Sequence, residues 1–132
     1  EGIKSVNEDI IRSKFESLEE FTTLDLSYQL FPLQPKAHRD KIFKAHKGIP
    51  MRAIYTSAKG AILSTKEKRK ATNVKARFIP PAKFPFSAQI TIYGNKTAFT
   101  PLTGKIIGVI IEDKKIAETL RAMFNLAWKQ AE

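Results

Sequence analysis

Apolar residues recur at helical spacing near the start of the chain and at strand spacing directly after it. The spacing in residues 3–20 predicts an amphipathic helix with charged residues on its outer face. Its apolar stripe consists of Ile3, Val6, Ile10, Ile11, Phe15 and Leu18. Residues 22–30 alternate instead, with an apolar residue at every second position from Leu24 to Leu30, which predicts a strand with one buried face. Pro32 and Pro35 end that strand.

The middle of the chain alternates between helix and strand patterns. Pro35 suits the first turn of a helix and Gly48 suits the residue just past its end, which predicts a basic helix over residues 36–47. Strand patterns then cover residues 49–56 and 74–79, separated by the weakly helical residues 57–72. This order of elements is typical of βαβ crossovers on a parallel sheet.

The last third predicts a hairpin, a strand and a closing helix. Gly94 and Asn95 both tolerate positive φ, so Tyr93 to Lys96 is predicted to form a type I′ turn. Residues 106–111 are almost continuously apolar, which is typical of a central strand covered on both faces. Asp113 can cap the helix that follows. The predicted buried stripe of that helix is Ile116, Ala117, Leu120, Met123, Phe124, Ala127 and Trp128.

Length and composition favour one globular domain over residues 1–132, with the N-terminal helix in residues 1–20 as part of it. The chain is 42% hydrophobic but has no apolar run long enough to span a bilayer, so no membrane partner is expected. It contains no cysteine and does not begin with a signal-peptide pattern, which fits a cytoplasmic protein.

Positive charge is concentrated in the middle third. The chain has a net charge of +10, and residues 36–83 hold 14 basic and 2 acidic residues, a net of +12. One interpretation is a surface that contacts nucleic-acid phosphates, centred on Lys66, Lys68, Arg69 and Lys70. The other is a solvated basic surface. No aromatic residue interleaves with that run, so stacking on single strands is not indicated.

The hairpin, strand and helix between Ala76 and Trp128 resemble the C-terminal effector domain of archaeal and bacterial TrmB-type transcriptional regulators, whose fold is similar to phospholipase D. Residues 47–56 look like the strand of that family with a glycine, an arginine and an aromatic residue. The resemblance implies an α/β fold: a phospholipase D-like mixed sheet with a parallel βαβ part, a C-terminal β-hairpin and flanking helices. Family members also carry a winged-helix DNA-binding domain, whereas residues 1–20 offer one helix only.

The resemblance also implies that this chain is not an enzyme. Phospholipase D enzymes use His-x-Lys followed, after four more residues, by Asp, and the matching positions here hold Ser87, Gln89 and Gly94. No histidine follows His46, so a covalent phosphohistidine is not expected on this route. A phosphodiesterase that uses His38 or His46 stays open as a third hypothesis.

No metal or cofactor is predicted. The two histidines lie eight residues apart on the predicted basic helix, too far to share one metal ion easily, and both are predicted to be surface residues.

A ligand site is predicted beyond the carboxyl ends of the parallel strands. Residues at and near the positions of the lost phospholipase D motif are expected to contribute to it. The candidate ligand-binding residues are Arg52, Tyr55, Arg77, Ser87, Gln89 and Tyr93. The expected ligand is a sugar or an anionic small molecule. The first functional hypothesis is a non-catalytic effector-binding and dimerisation domain of a transcriptional regulator, which forms a homo-oligomer and meets DNA directly or through a separate winged-helix domain. The alternative is a nucleic-acid-binding module that uses residues 36–83.

Overall fold

The computed structural model describes residues 2–24, 34–61, 73–101 and 107–131, and the side chains of all of these except residues 2–4 and 34–39. Within them, a six-stranded mixed sheet is flanked by helices. The strands are β1 Leu18–Thr23, β2 Met51–Thr56, β3 Val74–Phe78, β4 Ala88–Tyr93, β5 Lys96–Pro101 and β6 Val109–Glu112. The helices are α1 Gly2–Arg12, α2 Gln34–Ala45 and α3 Lys114–Gln130. The α/β architecture predicted from the sequence is confirmed.

The sheet has a parallel half and an antiparallel half that meet at β1. Its strand order is β3-β2-β1-β4-β5-β6. Strands β1, β2 and β3 run parallel, whereas β4 is antiparallel to β1 and continues through β5 to β6 by antiparallel pairing. Because β1 has a neighbour on each side, it lies in the middle of the sheet and its residues are almost all buried.

Each face of the sheet carries its own apolar layer. On the first face, which we call the α1 face, Ile10 of α1 packs against Leu18 and Met51 of the strands, and α2 adds Ile42 and Phe43. The opposite face, the α3 face, packs Phe124 of α3 in a cluster that also contains Ile54 and Ile92 of the strands. The sheet is therefore covered by helices on both sides, as burial of two apolar faces requires.

The predicted N-terminal helix is wrong in its second half. Helix α1 ends at Arg12, and Leu18 already begins β1. Glu19 and Glu20 make this segment look polar, but β1 is a central strand and the Glu19 side chain is buried in an ion pair. The strand predicted over residues 22–30 shares only Thr22 and Thr23 with β1, and residues 25–33 lie outside the described part.

The elements predicted in the middle of the chain are confirmed where they are described. Helix α2 and strands β2 and β3 match the predicted ranges within two to three residues. Gly48 has φ +85°, a left-handed conformation that glycine adopts readily just past a helix end. Residues 58 and 59 form a turn, and residues 62–72 lie outside the described part.

The hairpin between β4 and β5 is confirmed, but its predicted turn type is wrong. Gly94 has φ +63°, and no non-glycine residue in the described ranges has positive φ, Asn95 included. A type I′ turn requires positive φ at both central residues, whereas a type II′ turn requires it only at the first. The observed backbone therefore fits a type II′ turn with Gly94 at its first central position.

The apolar run before Asp113 does not form a central strand as predicted. Strand β6 is the last strand of the sheet, and all four of its residues are exposed. A continuous apolar run leads to burial on both faces only where other elements cover the strand. Among the described strands, β6 pairs with β5 alone. The predicted helix and its cap are confirmed, since Asp113 Oδ2 accepts a 2.8 Å hydrogen bond from the Ile116 amide. Ile116 and Met123, predicted to be buried, are exposed.

Candidate functional site

The α1 face of the sheet carries four polar side chains between β1 and β4, here called the β1–β4 polar cluster: Glu20, Thr22, Gln89 and Thr91. Thr22 Oγ1 donates to Gln89 Oε1 at 3.3 Å, and Gln89 Nε2 donates to Glu20 Oε2 at 3.4 Å. Thr91 Oγ1 donates to the same Glu20 oxygen at 3.0 Å. Glu20 and Thr91 are directly opposite each other in the β1–β4 register, so the strands themselves bring these groups together.

Two further polar residues border this cluster on the same face. Tyr55 lies opposite Thr22 on β2, is buried, and packs its ring against Phe78 at a centroid distance of 5.5 Å. Thr100 lies opposite Gln89 on β5 and is also buried. Glu20 and Gln89 are only half-buried, so the cluster combines a carboxylate and an amide at partly accessible positions with hydroxyl groups beneath them.

A second polar cluster on the α1 face connects helix α1 to the hairpin. The Asp9 carboxylate is buried and accepts a 2.8 Å hydrogen bond from Tyr93 Oη. Lys96 Nζ donates to both of its oxygens, at 3.2 and 3.3 Å, and the exposed Arg12 forms an ion pair with it at 3.1 Å. Tyr93 is four residues beyond Gln89 on β4, about 13 Å at the usual rise of a strand. It therefore belongs to this cluster and not to the β1–β4 polar cluster.

The two acidic groups of the Asp9 cluster have opposite pKa shifts. Burial alone raises the pKa of Asp9, but the hydrogen bonds from Tyr93 and Lys96 outweigh it and hold that pKa below its usual value. Burial, followed by the hydrogen bond to the Asp9 carboxylate, raises the pKa of Tyr93. Asp9 is therefore kept ionised and Tyr93 is kept protonated, the states in which their hydrogen bond forms.

The α3 face carries a buried carboxylate between two guanidinium groups. The Glu19 side chain is 2% exposed, and Arg121 Nε of α3 donates to its Oε1 at 2.6 Å. Arg52 lies 3.7 Å from the other carboxylate oxygen. Arg121 also donates to the Gly94 carbonyl at 3.1 Å, so this one side chain connects α3 to β1 and to the hairpin.

Arg52 and Arg77 lie together on the α3 face, against the last turns of α3. Arg77 donates to the Trp128 carbonyl at 2.8 Å, and its guanidinium carbon lies 4.3 Å from the centre of the Trp128 ring. Arg52 donates to Asn125 Oδ1 at 2.7 Å and lies 5.4 Å from the same ring. Charged groups inside strands need such partners, and both arginines use theirs to attach the helix to the sheet.

An open groove of about 490 Å³ lies between the carboxyl end of β3 and helix α3. Its lining is largely apolar, with Lys83 and Gln130 as its long polar side chains. It includes Ile79, next to the strand end where a ligand was predicted, but none of the six candidate ligand-binding residues lines it.

The six candidate ligand-binding residues are divided between the two faces of the sheet. Arg52 and Arg77 meet on the α3 face, whereas Tyr55, Gln89 and Tyr93 lie on the α1 face. Ser87 is exposed just before β4. One small ligand cannot contact both faces, so the structure separates the predicted site into an arginine pair and a polar cluster.

The other predicted contacts are only partly described. Lys66, Lys68, Arg69 and Lys70 lie outside the described residues, while Lys41, Lys44 and Lys47 of the same basic segment are exposed on or just after α2. His46 is buried, contrary to prediction: its Nε2 donates to the Ile10 carbonyl at 2.7 Å and its ring packs on Phe15. The side chain of His38 is not among those described. No group of three or more potential metal ligands occurs among the described residues, and no helix among them is long and apolar enough to cross a membrane.

The acidic members of these clusters were missed at the sequence level. Glu19 and Arg121 are 102 positions apart, and Asp9 and Tyr93 are 84 positions apart, so no local pattern pairs them. Glu20 was predicted to be the last residue of the N-terminal helix. Two acidic residues flanked by Leu18 and Phe21 and followed by two threonines were the available signal for a strand.

No protein-family model and no curated protein sequence matches the chain. Among solved structures, that of TrmBL2 aligns with it at a TM-score of 0.60 and 16% sequence identity. The alignment covers 99% of this chain and 50% of TrmBL2. This chain has the fold of half of TrmBL2. TrmBL2 is described as an archaeal chromatin protein with a novel mode of DNA binding. At this identity the likeness to TrmBL2 establishes a shared fold, and the chain spans half the length of that protein.

Proposed function

We propose that this chain is a non-catalytic effector-binding and dimerisation module of a DNA-associated regulator, with a phospholipase D-like fold. The observation that carries the proposal is the β1–β4 polar cluster. It contains Gln89, which stands where the resemblance to the phospholipase D motif would place a catalytic lysine. The shared fold with half of a DNA-binding chromatin protein supports the regulatory context.

The chemistry of the cluster favours a neutral ligand rich in hydroxyl groups over an anion. A carboxylate repels anions but accepts hydrogen bonds from hydroxyl groups, and the Gln89 amide and the threonine hydroxyls can both donate and accept. The arginine pair on the α3 face has the opposite preference. However, Arg52 and Arg77 already bind Asn125 and Trp128 of α3, so a ligand there would compete with the attachment of the helix.

The proposed site is tested by thermal unfolding of wild type and two variants in a panel of neutral sugars and polyols. Gln89→Ala removes two hydrogen-bonding groups and should weaken binding of a stabilising compound about tenfold, as expected for loss of about 1.4 kcal/mol. Thr119→Ala removes an exposed hydroxyl of α3, the helix on the opposite face of the sheet, and is the control. Equal stabilisation of Gln89→Ala and wild type would contradict the site.

Absence of catalysis is part of the proposal. We expect no turnover of a chromogenic phosphodiester, because the motif positions hold Ser87, Gln89 and Gly94. Turnover that His46→Ala or His38→Ala abolishes would show a phosphodiesterase instead.

Direct DNA binding is a second candidate, favoured by the net charge of +12 in residues 36–83. The test is a titration of labelled duplex DNA by fluorescence anisotropy at about 50 and 200 mM salt. Reversal of Lys68, Arg69 and Lys70 to glutamate should then weaken binding at least tenfold and flatten its salt dependence. Reversal of Lys14, Lys115 and Lys129, exposed lysines outside the segment, changes net charge equally and is the control. An equal loss of DNA affinity in both triple variants would show that only the net charge of the chain matters and that the basic segment is not a specific DNA-binding surface.

A further inference from the structure

Within the described residues, strand β6 forms an exposed apolar edge of the sheet and pairs with β5 on one side only. Val109, Ile110 and Ile111 are 36–44% exposed and stand on both faces of the strand. Natural sheets shield such edges with lysines, prolines, bulges or a covering element. Between residues 107 and 112 the one charged residue is Glu112, at the end of the strand, and the neighbouring Ile107 and Ile116 are exposed as well. An edge of this kind is suited to pairing with another strand.

The backbone groups of Ile110 point away from the sheet. The Asp113 amide, in extended conformation, donates to the Asn95 carbonyl of the β4–β5 turn at 2.9 Å, so it faces β5. Direction alternates along an antiparallel strand, which means that Ile111 and Val109 also direct their N–H and C=O groups toward β5. Ile110 and Glu112 therefore present their N–H and C=O groups to the free edge.

We propose that β6 pairs antiparallel with β6 of a second copy of this chain, about a two-fold axis at Ile110, so that two sheets join into one. This inference rests on the dimerisation role in the proposed function and names the surface that performs it. Ile110 would face Ile110 of the partner as a hydrogen-bonded pair. Val109 would then lie opposite the partner's Ile111, and Glu112 opposite the partner's Gly108.

Among the possible two-fold registers, the axis at Ile110 pairs the largest number of apolar residues within the four residues of β6. A two-fold axis perpendicular to the sheet keeps each side chain on its own face, and residues that lie opposite each other in a sheet share a face. One residue of β6 must therefore lie directly opposite the same residue of the partner. An axis at Ile111 would place Ile110 opposite the partner's Glu112. The axis at Ile110 instead gives three apolar β-branched pairs and sets each Glu112 against a glycine, which avoids opposing like charges.

The charge distribution also favours a second copy at this edge. Residues 107–118 hold 3 acidic and 2 basic residues, a net of −1, although the whole chain carries +10. Two strongly basic chains can therefore approach here with less repulsion than at the basic middle segment. A four-residue strand buries less area than a standard interface, so we expect a dissociation constant in the micromolar range.

Sedimentation equilibrium of the full chain over a range of concentrations tests the surface. Wild type should be a monomer–dimer equilibrium, and Ile110→Lys should weaken it at least tenfold while leaving the fold intact, because this side chain is exposed. Leu126→Lys introduces the same charge at an exposed apolar residue of α3 and should dimerise like wild type. A dimer of unchanged affinity in Ile110→Lys would overturn the surface but not dimerisation itself. A wild type that stays monomeric would overturn the β6 surface and the dimerisation role together. It would leave the ligand site open, because ligand binding is tested by a separate experiment.

The register is tested by cross-linking, because the chain has no cysteine of its own. In a hydrogen-bonded antiparallel pair the Cα atoms are about 5.5 Å apart, a distance that suits a disulfide. Ile110→Cys should therefore form a covalent dimer under mild oxidation. Glu112→Cys is the matched control, since its two copies would lie about 14 Å apart in this register. Efficient cross-linking through position 112 and not through position 110 would overturn the proposed pairing.

Discussion

Glu19 shows how a single buried charge can organise the contact between a helix and a sheet. Its carboxylate is held by Arg121 and lies 3.7 Å from Arg52, and it reaches solvent hardly at all. A buried carboxylate without a partner is very unfavourable. The ion pair with Arg121 therefore favours the packing of α3 at this position on the sheet. The same arrangement keeps Arg52 occupied, which argues against a ligand role for that arginine.

Arg121→Ala should lower the free energy of unfolding by about 3 kcal/mol, because it removes the nearer of the two arginines that neutralise the buried Glu19 carboxylate. Arg12→Ala breaks an ion pair in which the arginine is exposed, and should cost less than about 1 kcal/mol. Urea denaturation of both variants measures the difference. Equal effects would mean that Glu19 is adequately held by Arg52 alone.

Asp9 should make the stability of the protein sensitive to acid. Its pKa is lowered in the folded state, so its contribution is fully present above the unfolded-state value near 3.8 and is lost as pH falls toward the folded-state pKa. Asp9→Asn should therefore be less stable than wild type at pH 7 and should lose less stability between pH 5 and pH 2. Thermal unfolding across that range measures this, with exposed Glu8→Gln as the control. Parallel pH profiles for Asp9→Asn and wild type would contradict the role of Asp9.

At the scale of elements, the predictions succeeded where the pattern is local and failed where burial depends on neighbours. Strands β2 and β3 and helix α3 were recognised because their periodicity and caps lie within each segment. Strand β1 was mistaken for helix because Glu19 is paired by a residue 102 positions away. Strand β6 was recognised as a strand but was predicted to lie in the middle of the sheet. Its apolar residues alone do not show whether other elements of the fold cover it.

The cap of α3 gives a prediction at this scale. Asp113→Ala removes the acceptor for the Ile116 amide and should cost about 1 kcal/mol of stability, whereas Asp113→Ser keeps a capping oxygen and should cost much less. Urea denaturation measures both variants at a protein concentration well below the one at which any dimer forms, so that dissociation does not contribute. Equal losses for alanine and serine would assign the effect to charge and not to capping.

At the scale of the whole molecule, the two faces and the edge of the sheet differ in the groups that they carry. On its α3 face, charged and aromatic groups hold a helix, and its α1 face carries the β1–β4 polar cluster. Strand β6 is an edge strand of the described sheet. The candidate site was predicted only in part, because Gln89 was named while its partners Glu20, Thr22 and Thr91 were not. They meet through strand register, which requires β1 to lie between β2 and β4.

The measurement that tests the central claim most directly is the thermal unfolding of wild type with neutral sugars and polyols in parallel with phosphate and sulfate. A compound present at about 100 times its dissociation constant contributes about 2.7 kcal/mol, which for a domain of this size raises Tm by about 10 °C. The account predicts such a rise for at least one neutral polyhydroxylated compound and a smaller effect from the anions. Stabilisation by the anions alone, or by none of these compounds, would contradict an effector site at the β1–β4 polar cluster.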